Sequence, residues 1–416
     1  MSSVEEIHFV HHCHTDIGYT HDQPTLWDLQ RRFIDEAIDL ADRDRDIDAP
    51  HAFRWTVETT TPLLRWLEDA DDDRIDLFLE LEAAGRIEVT GMFANVTPLY
   101  GPAQIAESLE PVRHLREAYG IEITNAMNCD VNGQNWPLAD ALLDADIDGF
   151  SMAINEHFGG APLERPLAFR WEAPSGRELL SLNGFHYSTG WALGIGHDAE
   201  EFAEKWWPRL DTRLEELGYE LPVLHIQSFH PFGDNGSAYP EFSTFIEEWN
   251  EREDVCEGDL PRIRMVTPST YWEVVDEHRE SLPTHRGDWT DFWNFGSGSS
   301  ARETAINRES RRRLNTADVL EAGLTLAGAG PNDRHPARRS ASGSRDAAWW
   351  ALNFYDEHTW GADVSIREPH SDDTQAQWHH KANYAYEARS HSNRLQRDGL
   401  AELARRVLRD GGDGDE

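Results

Sequence analysis

Lysine is almost missing from this sequence: Lys205 and Lys381 are the only two in 416 residues. A surface without clustered Lys and Arg cannot neutralise a phosphate backbone, which excludes nucleic acid as a ligand. Cysteine is scarce as well, with Cys13, Cys129 and Cys256 at unpaired spacings. An odd set of this kind excludes a disulfide framework and points to a reducing, cytoplasmic compartment. No run of about 18 apolar residues occurs, so no membrane span is expected. Residues 1–12 lack a basic segment followed by an apolar one, so no secretion signal is expected either.

What the chain has in excess is acid: 77 Asp and Glu face 38 Lys and Arg, a formal net charge of −39. Runs such as Glu68-Asp69-Ala70-Asp71-Asp72-Asp73 fall at turn-like positions. Hydrated carboxylates of this density suit high salt, where a Debye length of about 3 Å at 1 M screens their mutual repulsion. The 16 Trp and 17 Phe supply ample core material. Because single cores stop growing near roughly 250–300 residues, a large domain plus a smaller one is expected.

Short apolar runs alternate with amphipathic segments over the first 280 residues or so, the rhythm of parallel strands with helical crossovers. Strands are expected at residues 7–10, 53–57, 86–90, 121–128, 149–152, 179–183, 223–227 and 263–266, and helices at 26–41, 105–119, 137–145, 199–217 and 243–251. That pattern is a βα barrel-like or doubly wound one. From about residue 300 the texture becomes wholly helical, with 301–326, 346–353 and 374–398 as partners. Residues 330–344, rich in Pro, Gly, Ser and Arg, are expected as an exposed loop, and 409–416 as a disordered tail.

Chemistry-bearing residues collect where strands should end, the edge at which βα folds bind ligands. His11-His12-Cys13-His14-Thr15-Asp16 follows the first strand. His14 and Asp16 are two apart and share one face of extended backbone, a half-site suited to Zn²⁺. An isolated His-x-Asp is more often an ordinary polar loop. Asp130, in Asn128-Cys129-Asp130-Val131-Asn132-Gly133, leads through Trp136-Pro137 into a helix, where it reads either as a site residue or as a turn and cap aspartate. Gly233-Asp234-Asn235-Gly236 reads as a ligand-approach loop or as a plain turn.

The order and context of these segments resemble the amino-terminal domain of family 38 glycoside hydrolases, the α-mannosidase family. Its H-x-D-x-G-aromatic motif is matched by His14-Thr15-Asp16-Ile17-Gly18-Tyr19, and its G-R-x-E-x-x-G turn by residues 85–91. Asp130-Val131-Asn132-Gly133 with Pro137 is similar to its nucleophile motif, with Asn132 where the family usually has Phe. Residues 145–150, Phe169-Arg170-Trp171 with Gly176, Gly233-Asp234-Asn235-Gly236, Arg286-Gly287-Asp288-Trp289-Thr290 and Asn307-Arg308-Glu309 match further segments. The likeness spans roughly residues 5–400. In place of the family's His-Asp near the end of the helical domain stands Phe354-Tyr355-Asp356-Glu357-His358, so His358 is the candidate there, the alternative being a helix cap.

The resemblance implies a (β/α)7-type barrel-like catalytic domain over residues 1–285, a smaller all-helical domain over 286–405 and an acidic tail over 406–416. It implies a metal-dependent retaining glycosidase acting on α-mannosides, with Asp130 as nucleophile, Asp234 as acid/base, and a divalent metal, Zn²⁺ by preference, on His14, Asp16, Asp130 and His358. Tyr19, Trp136 and Trp289, with Trp293, are candidates for the sugar platform. The family's carboxyl-terminal β-sandwich has no counterpart in the 416 residues: either this is a minimal or truncated member, or a separate chain or a homo-oligomer completes it. Two rivals stay open. One is an amidohydrolase-like metal hydrolase built on His12-Cys13-His14 with His225 and His230; the other is a catalytically silent sugar-binding protein.

Overall fold

The computed structural model describes residues 3–155, 163, 167–289, 293–327 and 341–410. Strand β1 (Glu6–His11) lies between β8 (Val223–Ser228) and β9 (Arg262–Val266), parallel to both. Every residue of β8, and all of β1 but Glu6, is buried. That accounts for their continuous apolar character, since parallel strands are covered on both faces. A second pair joins β2 (Trp55–Val57) to β3 (Ile87–Val89). The largest sheet has the order β10 (Thr284–Arg286), β6 (Leu167–Glu172), β7 (Glu178–Gly184), β5 (Gly149–Ile154), β4 (Asn125–Asp130).

The α/β arrangement is barrel-like, but hydrogen bonding among the described residues does not close it: the strands fall into three sheets. Single contacts stitch the sheets together. His12 bridges to Thr56, and Gly91 N donates to Asn125 O at 2.9 Å. One irregularity follows from chain length. Residues 173–177 are too few for a helical crossover, which takes about a dozen, so β6 and β7 form an antiparallel hairpin within a parallel sheet, turning at Gly176 with φ +86°.

Proline punctuates the helices. The helix expected over 105–119 is two, Pro102–Ser108 and Glu110–Tyr119, because Pro111 lacks the N–H that an uninterrupted helix needs. The segment expected as one helix over 199–217 passes through a π-helical stretch, Phe202–Trp206, before Pro208 sets the first turn of Trp207–Glu216. The long helices Ala301–Leu326 and Asp372–Asp410 pack with Ala341–Asp356 around Leu314, Ala348, Leu352 and Ala388. They meet the α/β half through an apolar cluster of Ile17, Trp27, Phe93, Ala94 and Phe354 and through hydrogen bonds: Tyr100 Oη donates to Asn353 O (2.6 Å), Thr97 Oγ1 to Asp356 O (2.7 Å) and Arg311 Nη1 to Gln104 Oε1 (2.9 Å).

Two sequence expectations change at the helical end. The loop expected over 330–344 lies outside the described residues up to 340, and 341–344 are the first turn of a helix. Of the tail expected over 406–416, residues 406–410 belong to the last helix and 411–416 lie outside the described residues. Thr290 is outside them too. None of the described helices is long and apolar enough to cross a membrane.

Candidate active site

The carboxyl ends of β1 and β4 and the end of the Ala341–Asp356 helix meet in one buried place. His14 and Asp16 arrive on the extended segment after β1, which Asn235 fastens from across the fold. Asn235 N donates to His14 O (3.0 Å), and its Oδ1 accepts from Asp16 N (3.0 Å) and Gln30 Nε2 (3.1 Å). Asp130 ends β4 with φ +69°, and Tyr19 (+66°) and Asn235 (+52°) share that left-handed region. For a non-glycine residue this costs about 1–3 kcal/mol and persists where surrounding contacts over-determine it. Here Asp130 Oδ1 accepts from Asn155 Nδ2 (2.6 Å) and Tyr187 Oη (3.2 Å).

His14, Asp16, Asp130 and His358 are all buried, and each offers a ligand atom within 4.8 Å of the others. His358 Nε2 lies 3.0 Å from Asp16 Oδ1 and 3.2 Å from Asp130 Oδ2; His14 Nε2 lies 3.7 and 4.0 Å from the same two oxygens. Tetrahedral ligands about 2.1 Å from a cation stand about 3.4 Å apart, and the observed spacings bracket that value. His14 Nε2, Asp16 Oδ2 and His358 Nε2 make no aligned hydrogen bond among the described residues. Two carboxylates and two imidazoles that face one another, three of their atoms unsatisfied, are a donor set suited to a divalent cation.

Behind each imidazole stands another carboxylate. Glu58 lies at 3.3 Å from His14 Nδ1, and also binds His12 Nδ1 (2.5 Å), Asn95 Nδ2 (2.6 Å) and Thr15 N (3.3 Å). Glu357 Oε1 lies 2.7 Å from His358 Nδ1 and accepts from Thr359 Oγ1 (2.6 Å), while its Oε2 accepts from Lys381 Nζ (2.8 Å). Burial alone would raise both carboxyls. For Glu58 the nearby His14 and His12 outweigh burial and hold it low; for Glu357, Lys381 and His358 do so and bring it to about 2. A carboxylate on the outer ring nitrogen fixes the imidazole so that Nε2 faces the cluster. His12, Glu58 and Cys129 also lie close enough for a cation, but Glu58 already accepts from several donors and serves as the orienting group.

Asp234 sits on the loop that Asn235 anchors. Burial raises its carboxyl to about 7, with the charges of Asp16 and Asp130 adding to the shift and His14 and His358 opposing it. Tyr19, 40% exposed, lies at the mouth, where its hydroxyl senses Asp16, Asp234 and Asp130. The other two expected aromatics lie elsewhere. Trp289 is 2% exposed, packed at 5.1–5.9 Å against Phe169, Trp171 and Phe150 as part of the core. Trp136 is tied to the β6–β10 edge, Nε1 donating to Glu172 O (2.7 Å) with Arg286 over its ring. Trp293 comes closer to the cluster: its Nε1 donates to His358 O (2.9 Å), and its ring is 5.9 Å from that of His358.

Sequence reasoning passed over Glu58, Glu357, Asn95, Asn155, Tyr187 and Lys381. Two of these carried a signal. Glu58 directly follows β2, the same position that marks the other site residues, and Lys381 is one of two lysines in the chain yet only 4% exposed. His225, wanted by the amidohydrolase reading, is buried in β8 with its ring 5.0 Å from Tyr271, and burial depresses its pKa to about 3.

Acidic and imidazole side chains gathered at the carboxyl ends of parallel strands define an α/β protein of the polar-pocket enzyme type, with a helical segment supplying part of the pocket. Residues 5–288 match the N-terminal domain of glycosyl hydrolases family 38, and the chain belongs to that family. Its fold is similar to that of an alpha-mannosidase from Enterococcus faecalis V583 (TM-score 0.66, 15% identity), covering 96% of this chain and 43% of the other. It is similar also to a family 38 glycosyl hydrolase protein from Enterococcus faecalis (TM-score 0.59, 13% identity), covering 97% and 40%. The chain thus spans about two fifths of the length of these relatives. No curated protein matches it.

Proposed function

We infer that this chain is the catalytic part of a metal-dependent retaining glycosidase acting on α-mannosides. The observation that carries the reading is the meeting of His14, Asp16, Asp130 and His358 in one buried cluster, with Asp234 raised to about 7 by burial and by the charges of Asp16 and Asp130, in a chain of family 38. When bound by these four residues, a divalent metal, Zn²⁺ by its donor set, supplies a template for adjacent sugar hydroxyls and Lewis-acid polarisation.

The chain's own residues divide the remaining work. Asp130, its Oδ1 oriented by Asn155 and Tyr187, attacks the anomeric carbon and forms a glycosyl ester. Asp234, neutral below its raised pKa, gives its proton to the leaving oxygen and then takes one from the water that cleaves the ester. Retention calls for carboxyl groups about 5–5.5 Å apart. Tyr19 at the mouth and Trp293 beside His358 line the sugar, the role that burial denies Trp289. Residues 286–405 act as a helical domain whose part in the chemistry is to deliver His358. The unpaired state of Cys13, Cys129 and Cys256 supports a cytoplasmic setting, and the charge of −39 supports one of high salt.

The test is release of nitrophenol from an aryl α-mannoside in molar salt. Turnover that a chelator abolishes and Zn²⁺ restores is expected; a metal-loaded protein that binds the mannoside without cleaving it would establish the sugar-binding reading instead.

A further inference from the structure

Away from the four-residue cluster lies a cavity of about 430 Å³, within the range of about 300–1,000 Å³ usual for small-molecule sites. Its walls come from the helices Thr60–Leu67, Pro102–Ser108, Glu110–Tyr119 and Ala341–Asp356, and from Phe93 after β3. Two side chains lining it leave a buried polar atom unanswered among the described residues: Trp349 Nε1, in a residue 3% exposed, and Asn353 Oδ1, in one 2% exposed. They are four apart on one helix and so stand on the same face, one turn from each other. One is a donor only and the other an acceptor, and polar atoms so buried are ordinarily paired.

The chemistry of the lining narrows the occupant. No Lys or Arg lines the cavity among the described residues, while Glu68, Glu107, Glu110 and Asp346 do, as does His114. Glu107 is paired with Arg345 and Glu110 with Arg113, whereas Glu68 and Asp346 have no ion pair among the described residues. An anion would meet these carboxylates with like charge. An ammonium would satisfy Asn353 Oδ1 but has no acceptor for the Trp349 indole N–H. A hydroxyl both donates and accepts, and two neighbouring hydroxyls answer both atoms while others bond to Glu68 and Asp346. Phe93 and Trp350, whose rings meet at 5.1 Å, and Leu64 and Leu67 offer apolar surface for the C–H face of a ring.

We propose that this cavity is a second carbohydrate-binding site, which takes one neutral pyranose unit at a place separate from the catalytic pocket. The site goes beyond the glycosidase reading and does not depend on it, because its occupancy is read as binding and not as turnover.

The experiment is ligand-observed saturation-transfer NMR on the metal-loaded full chain, with methyl α-mannoside as probe and tetramethylammonium as the cationic control. It is repeated after metal removal by a chelator, and with two variants, Trp349→Phe, which keeps the ring and deletes the donor, and Glu68→Arg, an exposed rim change that blocks the opening without touching the core. The mannoside signal is expected to survive chelation, and affinity to fall at least fivefold in both variants, with the melting temperature of Glu68→Arg unchanged. The proposal is overturned by a signal that vanishes on chelation, by one that both variants leave intact, or by tetramethylammonium displacing the sugar. Absence of nitrophenol release from the metal-loaded chain, with the chelation-resistant signal retained, would overturn the catalytic reading alone.

Discussion

Lys381 gives the sharpest test of how the site is held. Its ammonium donates to Glu357 Oε2 (2.8 Å), Glu357 O (2.9 Å) and Phe354 O (2.9 Å), so it secures the last carbonyls of the Ala341–Asp356 helix as well as the carboxylate behind His358. Glu357 is fully buried, and its pKa is brought from 4.5 to about 2 because Lys381 and His358 outweigh burial. At about 1.4 kcal/mol per pKa unit, that depression corresponds to about 3 kcal/mol of stability. The figure agrees with the roughly 3–5 kcal/mol expected when one partner of a buried pair is removed. Lys381→Met, similar in length and without charge, should therefore lower the melting temperature of the metal-free protein by about 3–6 °C. Release of the Glu357 carboxylate should also weaken metal affinity about 10–100-fold, since Glu357 orients His358. Thermal melts and metal titration by calorimetry read the two effects separately. The double variant Lys381→Met with Glu357→Gln should recover most of the melting loss, because no buried charge is then left alone, but not the metal affinity. Additive losses in that cycle, or a Lys381→Met protein that melts and binds metal like the parent, would refute the reasoning.

The same pair predicts an acid limit. A carboxyl whose folded pKa is depressed contributes stability in full above its unfolded value near 4.5 and loses it as pH falls towards about 2, so stability measured between pH 5 and 3 should fall less steeply in Glu357→Gln than in the parent. Asp130→Asn should abolish turnover of an aryl α-mannoside and leave the fold intact by circular dichroism; parental rates would remove Asp130 from its assigned role. Asp234 is useful as an acid only while protonated, and its raised value of about 7 places an alkaline limb on the pH–rate profile. A bound cation moves that limb to lower pH, and Asp234→Asn should erase it together with most of the rate on substrates with poor leaving groups. Dilution from molar to 50 mM salt should lower the melting temperature, because the charge of −39 is then unscreened; an unchanged melt would argue against salt adaptation.

Local chemistry made much of this protein legible in its sequence. Much of the alternation of strands and helices follows from periodicity, which misses the helices Thr60–Leu67, Asp72–Ala83 and Pro268–Glu277 and the break at Pro111, while the glycine at 176 acts through its own backbone. The clustering of His14, Asp16, Asp130 and Asp234 just past apolar runs marked the edge where a pocket forms, because in parallel βα units that edge is a consequence of chain direction. The acid excess, too, needs no fold to be read.

The tertiary structure decided the rest, since it depends on neighbours that are distant in the chain. Glu58 reaches His14 across 44 positions, and Lys381 reaches Glu357 across 24, so neither pairing leaves a local pattern. Burial sorted the aromatics, sealing Trp289 into the core and leaving Tyr19 and Trp293 beside the cluster, although all three read alike as apolar rings near polar segments. The division of the described strands into three sheets and the left-handed backbone at Asp130 are likewise outcomes of assembly. A sequence states which groups are available; which of them end up desolvated and unpaired in one another's field is settled only when the chain has closed around them.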